Sequence, residues 1–185
     1  MIDLAPGHKQ GMLVSNPVLL AAGAVGCGEA HWPELELRAL GALVAGPVTL
    51  QNRAGAPMPR LVESQAGMLL ETGSQNRGLH ATLRSFAPLW ARVGVPVVVQ
   101  LADMQPDALA RCAERLSNVP GLAALEWRVA QNANATAIRQ GVETITRAGD
   151  LPLWAKLPIE NVSERAEAAA TAGASALVIG SAPMG

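Results

Sequence analysis

Six short apolar runs, separated by stretches of helical periodicity, set the terms on which this chain can fold. Residues 17–22 (PVLLAA), 42–45 with 48–50, 96–101 (PVVVQL), 123–130, 151–157 (LPLWAKL) and 176–180 (ALVIG) read as strands. Between them 34–40, 79–93, 106–116, 135–147 and 163–172 read as helices, with Pro106 suited to a first turn and Gly173 to a C-terminal stop. Strands alternating with helices form βα units around a parallel sheet that is covered on both faces. Two architectures absorb that pattern, an open doubly wound sheet and a closed β/α barrel. An eight-stranded barrel needs roughly 200 residues or more. At 185 residues, periodicity by itself favours the open sheet.

Composition narrows the function classes. Half of the residues are hydrophobic, so a substantial core is available, but only 3% are aromatic; small residues must do the packing. Fourteen Lys and Arg against fifteen Asp and Glu give a net charge of −1, with the basic residues scattered. Nothing here draws a nucleic acid or an anionic membrane. Cys27 and Cys112 make neither a disulfide framework nor a zinc set, and both read as packing residues. His8, His31 and His80 share no metal-ligand spacing, so no metal site is assigned. The N-terminus lacks a basic start followed by an apolar run, and no segment reaches the ~20 apolar residues of a membrane span. The expectation is a cytoplasmic protein. Residues 51–78, with Gly55, Pro57, Pro59, Gly67, Gly73 and Gly78, form the longest irregular stretch. A loop of that length in a compact chain is functional or disordered.

Specific motifs go further than periodicity. Asp3-Leu4-Ala5-Pro6-Gly7-His8-Lys9 leads to Asn16-Pro17-Val18, Ala21-Ala22-Gly23 and Gly26. A second block holds Thr49-Leu50, Arg53, Gly55, Pro57, Pro59-Arg60-Leu61-Val62-Glu63, Ala66-Gly67-Met68-Leu69, Gly73, Gln75-Asn76 and Gly78, and Lys156 falls near the end of a strand. Together they resemble the FMN-dependent dihydroorotate dehydrogenases, in particular the type that pairs with an iron–sulfur electron-transfer subunit. The resemblance runs from about residue 3 to the C-terminus and is weakest over 103–145. It overrides the open sheet and implies an α/β fold, an incomplete TIM-type β/α barrel with about six of eight strands, as a single domain over 1–185. It also implies FMN at the C-terminal face and oxidation of dihydroorotate to orotate, a base taking the C5 proton while hydride leaves C6 for the flavin. By the same resemblance Ala22, Gly23 and Lys156 contact the cofactor, and Asn76 and Asn132 contact a pyrimidine-like substrate.

The sequence also departs from the family. The catalytic base, a cysteine in most relatives, falls on Gln131, or on Ala130 with a one-residue shift. Neither accepts a proton near neutral pH, so no catalytic residue is assigned, and losing such a base costs ~10²–10⁴ in rate. A family lysine that contacts flavin and substrate falls on Gly46, and an asparagine of the substrate loop falls on Leu70. The chain ends at 181–185, ahead of the glycine-rich units that hold the FMN phosphate in relatives. Six strands would leave two open edges, to be covered by a second copy or a partner. Arg60 and Glu63 read as a loop-ordering ion pair. The expected function is therefore a dihydroorotate dehydrogenase-like flavoprotein; the alternative is an inactive relative that binds a small molecule or serves as a partner-completed module.

Overall fold

The computed structural model describes residues 1–29 and 36–180. A hairpin of β1 (Ile2–Asp3) and β2 (Leu13–Val14) precedes the main sheet. Then follow β3 (Leu19–Leu20), β4 (Ala42–Val48), β5 (Leu61–Ser64), β6 (Gly67–Leu70), α1 (Leu79–Trp90) and β7 (Val97–Leu101). The chain continues through α2 (Pro106–Ser117), β8 (Leu122–Arg128), α3 (Ala135–Ala148), β9 (Leu153–Leu157), α4 (Val162–Thr171) and β10 (Ala176–Ile179). The helix read over 34–40 lies partly outside the described residues, as do His31 and 181–185; its remainder is a 3-10 turn at Leu37–Ala39.

Six strands form one sheet in the order β3-β4-β7-β8-β9-β10, every neighbouring pair parallel. A doubly wound sheet reverses its strand order at a switch point; this order never reverses. Among the described residues, the buried side chains of α1, α2, α3 and α4 share one core with a single face of the sheet, as right-handed crossovers between successive strands require. That is the arrangement of a β/α barrel, and it corrects the open sheet that periodicity favoured.

Alternation along the strands assigns the faces. Val97, Val99, Leu101, Leu125, Trp127, Leu153, Ala155 and Leu157 point outward into a core shared with Trp90 of α1, Leu109 and Leu116 of α2, Ile138 and Ile145 of α3, and Ala169 of α4. The inner face is thinner: Ala42, Val44, Val98, Ala124 and Trp154 meet Ala5, Met12 and Val14 of the N-terminal hairpin. The hairpin thus covers the end where the strands begin. Asp3 fixes its turn by accepting from the Ala5 and Met12 amides, each at 2.9 Å.

Two local expectations change. The strand read over 17–22 shrinks to two residues, because β3 is an edge and Val18 and Ala21 face solvent. The irregular stretch 51–78 contains the antiparallel β5–β6 hairpin, whose eight residues are all exposed. Its base is drawn together where Arg53 and Asn76 exchange backbone hydrogen bonds of 3.0 and 3.1 Å.

Candidate functional site

The C-terminal ends of the parallel strands converge on a mouth walled by residues 21–29, the 51–78 loop, and the turns after β7, β8 and β9. Register stacks the inward side chains in layers. Gln100, Glu126, Trp154 and Ala176 lie across neighbouring strands, and Arg128, Lys156 and Val178 form the next row toward the mouth. Within the lower row Gln100 Nε2 donates to Glu126 Oε1 at 2.6 Å, with both side chains buried. Trp154 Nε1 is buried without a hydrogen-bond acceptor. Lys156 is half-buried and makes no ion pair among the described residues.

Two cavities open here. The first, about 480 Å³, is lined by Gly23, Cys27, Gly46, Arg53, Asn76 and Arg77 among others. The second, about 400 Å³, lies on the inner face between Ala21, Val44, Glu126, Trp154, Lys156 and Val178. The residues singled out from sequence divide between them. Gly23 and Asn76 border the first and Lys156 the second, while Ala22 packs against the inner core. Asn132 is exposed on the turn after β8.

Asn76 is occupied by the loop that carries it. Its Oδ1 accepts from the Gly78 amide at 2.8 Å and from the Thr49 amide at 3.3 Å, while Nδ2 donates to Thr49 Oγ1 at 2.8 Å and to the Ser74 carbonyl at 2.9 Å. Gly46 has a physical reason to carry no side chain. At φ +129° its backbone suits glycine, and a Cβ would stand 3.0 Å from the Gln100 carbonyl oxygen. Its own N–H and C=O tie the first loop to β4, through Gly26 O at 3.0 Å and Gly23 N at 3.1 Å.

Gln131, where the family resemblance expects the base, is held by other bonds. Gln131 Nε2 donates to Glu160 Oε2 at 2.5 Å, and its carbonyl accepts from Arg165 Nη2 at 2.6 Å. Nor does Cys27 replace it. Burial, then the Glu29 charge, pushes its thiol up to about 12, so it keeps its proton at neutral pH. The expected Arg60–Glu63 pair is also absent among the described residues. Arg60 instead donates to the carbonyls of Ala56 at 2.6 Å and Ala54 at 2.9 Å, and to Gln75 Oε1 at 2.5 Å.

Two residues of the mouth escaped the sequence reading. Asp103, at the end of β7, accepts from the Leu50 amide at 2.6 Å and from Arg53 at 3.2 Å, while its backbone carbonyl accepts from Trp127 Nε1 at 3.0 Å. An aspartate directly after an apolar strand (PVVVQLAD) was the available signal. Arg128, the last residue of β8, reaches over the mouth to donate to Ser74 Oγ in the loop. Burial, and then the neighbouring Arg53 charge, hold its guanidinium below its ordinary pKa. Among the described residues no group of three His, Cys, Asp or Glu could hold a metal ion, and no helix is long and apolar enough to cross a membrane.

Comparison with known proteins bears on both fold and site. Residues 9–128 match the family described as Dihydroorotate dehydrogenase. The dihydroorotate dehydrogenase B (NAD(+)) catalytic subunit of Desulforudis audaxviator is 44% identical over 179 residues, covering 90% of this chain and 58% of that protein. The subunit of the same name from Solidesulfovibrio magneticus is 36% identical over 180 residues, covering 90% and 59%. The chain thus spans under two thirds of the length of these relatives. Among solved structures, a DHODH from Eimeria tenella in complex with ferulenol superposes with a TM-score of 0.70 at 15% identity, over 90% of this chain and 58% of that one. This likeness supports the partial barrel.

Proposed function

Because this chain belongs to the dihydroorotate dehydrogenase family, we propose that its mouth binds a flavin ring and a pyrimidine-like substrate, as a dihydroorotate dehydrogenase-like flavoprotein of the cytoplasm. The observation that carries this reading is Lys156: a half-buried ammonium on the inner face, opening on a cavity of about 400 Å³ with no carboxylate paired to it among the described residues. A cation so placed suits a ring edge rich in acceptors, such as the pyrimidine side of a flavin. Gly23 fits the same role, since a Cβ there would meet nothing within 4 Å and a flat ring can come close to the backbone of Ala22 and Gly23.

When bound, FMN supplies the acceptance of a hydride. The chain's own contribution is to position the ring, with Lys156 stabilising negative charge that develops on it. Asn132, exposed on the turn after β8, is the substrate-facing amide of this proposal, while Asn76 holds the loop wall in shape. A second reading is favoured by one observation. Gln131, engaged with Glu160, offers no proton acceptor where relatives carry their base, so the chain binds ring-type ligands without turning dihydroorotate over. The open edges of β3 and β10 are covered, in this proposal, by a second copy or by another subunit.

Titration of the full chain with FMN, followed by flavin fluorescence, tests the reading. The expected result is saturable quenching that Lys156→Met weakens about tenfold, the scale of one charge-assisted hydrogen bond. Absence of binding by both FMN and orotate sinks it. Oxidation of dihydroorotate with an artificial electron acceptor separates the two readings: turnover supports the enzyme, binding alone the diverged relative.

A further inference from the structure

Arg165, near the start of α4, is a buried charge without a counter-ion. It is 9% exposed, makes no ion pair among the described residues, and its Nη1 is buried without an acceptor. The acidic residues closest to it on its own helix, Glu164 and Glu167, are exposed. A buried guanidinium with an orphaned N–H group lowers stability, and an apolar side chain of similar length would fill the space without that penalty. Folding alone gives no reason for an arginine here.

Its one side-chain hydrogen bond among the described residues supplies a reason. Nη2 donates to the carbonyl of Gln131 at 2.6 Å, reaching from α4 to the turn after β8. Such a bond is charge-assisted. The Gln131 side chain is held from the same βα unit, by Glu160 at 2.5 Å. The turn itself is closed by the Ala133 amide donating to the Ala130 carbonyl at 3.1 Å, and Asn134 caps α3 by accepting from the Ala137 amide at 2.9 Å. Residue 131 is thus gripped through side chain and backbone alike.

The backbone grip has a geometric consequence. The peptide unit joining Gln131 to Asn132 is planar and trans, so its C=O and N–H point in opposite directions. Turning the carbonyl to Arg165 turns the N–H of Asn132 away from α4, whose Ala168 and Ala169 pack in the outer core. That N–H has no acceptor among the described residues, and the side chain of Asn132 is exposed beside it.

We propose that Arg165 is a positioning residue: through the Gln131 carbonyl it fixes the 131–132 peptide so that the N–H and the side-chain amide of Asn132 together face a ligand in the mouth. That they meet a pyrimidine-like ring rests on the function given above; the orientation of the peptide rests on the Arg165 bond alone.

The test uses the full chain with Arg165→Met and Arg165→Lys, thermal unfolding, the backbone amide resonance of Asn132 by NMR, and calorimetry with orotate and with FMN. Methionine keeps an apolar stem and sheds the uncompensated charge, so Arg165→Met should melt at the parent's temperature or above. Without ligand, the Asn132 resonance should move in Arg165→Met and return toward its parent position in Arg165→Lys, which keeps a charged donor. Orotate affinity should fall about tenfold in Arg165→Met, the scale of one charge-assisted hydrogen bond, and less in Arg165→Lys. FMN affinity, assigned to Lys156, should be unchanged. The proposal is overturned if Arg165→Met melts several degrees lower, if the Asn132 resonance stays in place, if lysine restores nothing, or if FMN affinity falls as far as orotate affinity. Should the parent bind neither FMN nor orotate, the flavin-site function falls, and the melting temperatures and the ligand-free Asn132 resonance decide on Arg165 by themselves.

Discussion

Asp103 is the residue on which the mouth's geometry turns. One carboxylate fixes the start of the long loop through Leu50 and Arg53, and the adjoining carbonyl fixes Trp127 of the next strand. Asp103→Ala removes charge-assisted bonds and leaves the half-buried Leu50 amide without its acceptor. It should cost about 2–4 kcal/mol by urea denaturation, with Asp103→Asn costing less. Cys27 gives a pH-dependent check. Its thiol is raised from 9.0 to about 12, so at pH 8 it carries roughly a thousandfold less thiolate than an unperturbed cysteine. Alkylation by iodoacetamide should be correspondingly slow at pH 8. A raised value also means that the native state holds the proton more tightly. This contribution to stability is intact below the ordinary thiol value and is lost as the pH climbs from there through about 12. A Cys27 that alkylates at pH 8 as fast as a free thiol contradicts the packing described for the first loop.

At the scale of elements, α3 meets the sheet where Gly141 faces Trp127. A Cβ at 141 would lie 2.2 Å from the indole ring. Gly141→Ala should therefore destabilise by about 1–3 kcal/mol in chemical denaturation, even though alanine is intrinsically the better helix former by about 1 kcal/mol. Helices and central strands of this kind were legible in the sequence because burial writes continuous apolar runs and one-sided stripes. The β5–β6 hairpin was not, because eight exposed residues leave no inward–outward alternation. β3 was read too long because an edge strand keeps its apolar composition while losing half its partners. The site divides in the same way. Lys156 could be found from a motif confined to one strand. Arg128 could not, because its partner lies 54 residues away and its neighbour Lys156 is adjacent only through sheet register.

Among the described residues the sheet ends in two edge strands, β3 and β10, each paired on one side alone, and β10 turns Leu177 and Ile179 outward with 37% and 52% of their surface exposed. The hairpin adds Met68, Leu69 and Leu70, also exposed. Edges and patches of this kind recruit other chains. Sedimentation of the purified protein should show association that grows with concentration, and paired Leu177→Lys and Ile179→Lys substitutions should shift it toward monomer without lowering the melting temperature. A monodisperse monomer throughout would contradict this. The unbroken strand order has a consequence for synthesis. Each strand from β4 to β10 in the main sheet docks on the sheet strand made just before it, so its template has already left the ribosome when it emerges. The molecule can be assembled by accretion, strand upon strand in the order of synthesis, without any strand waiting for a partner made later.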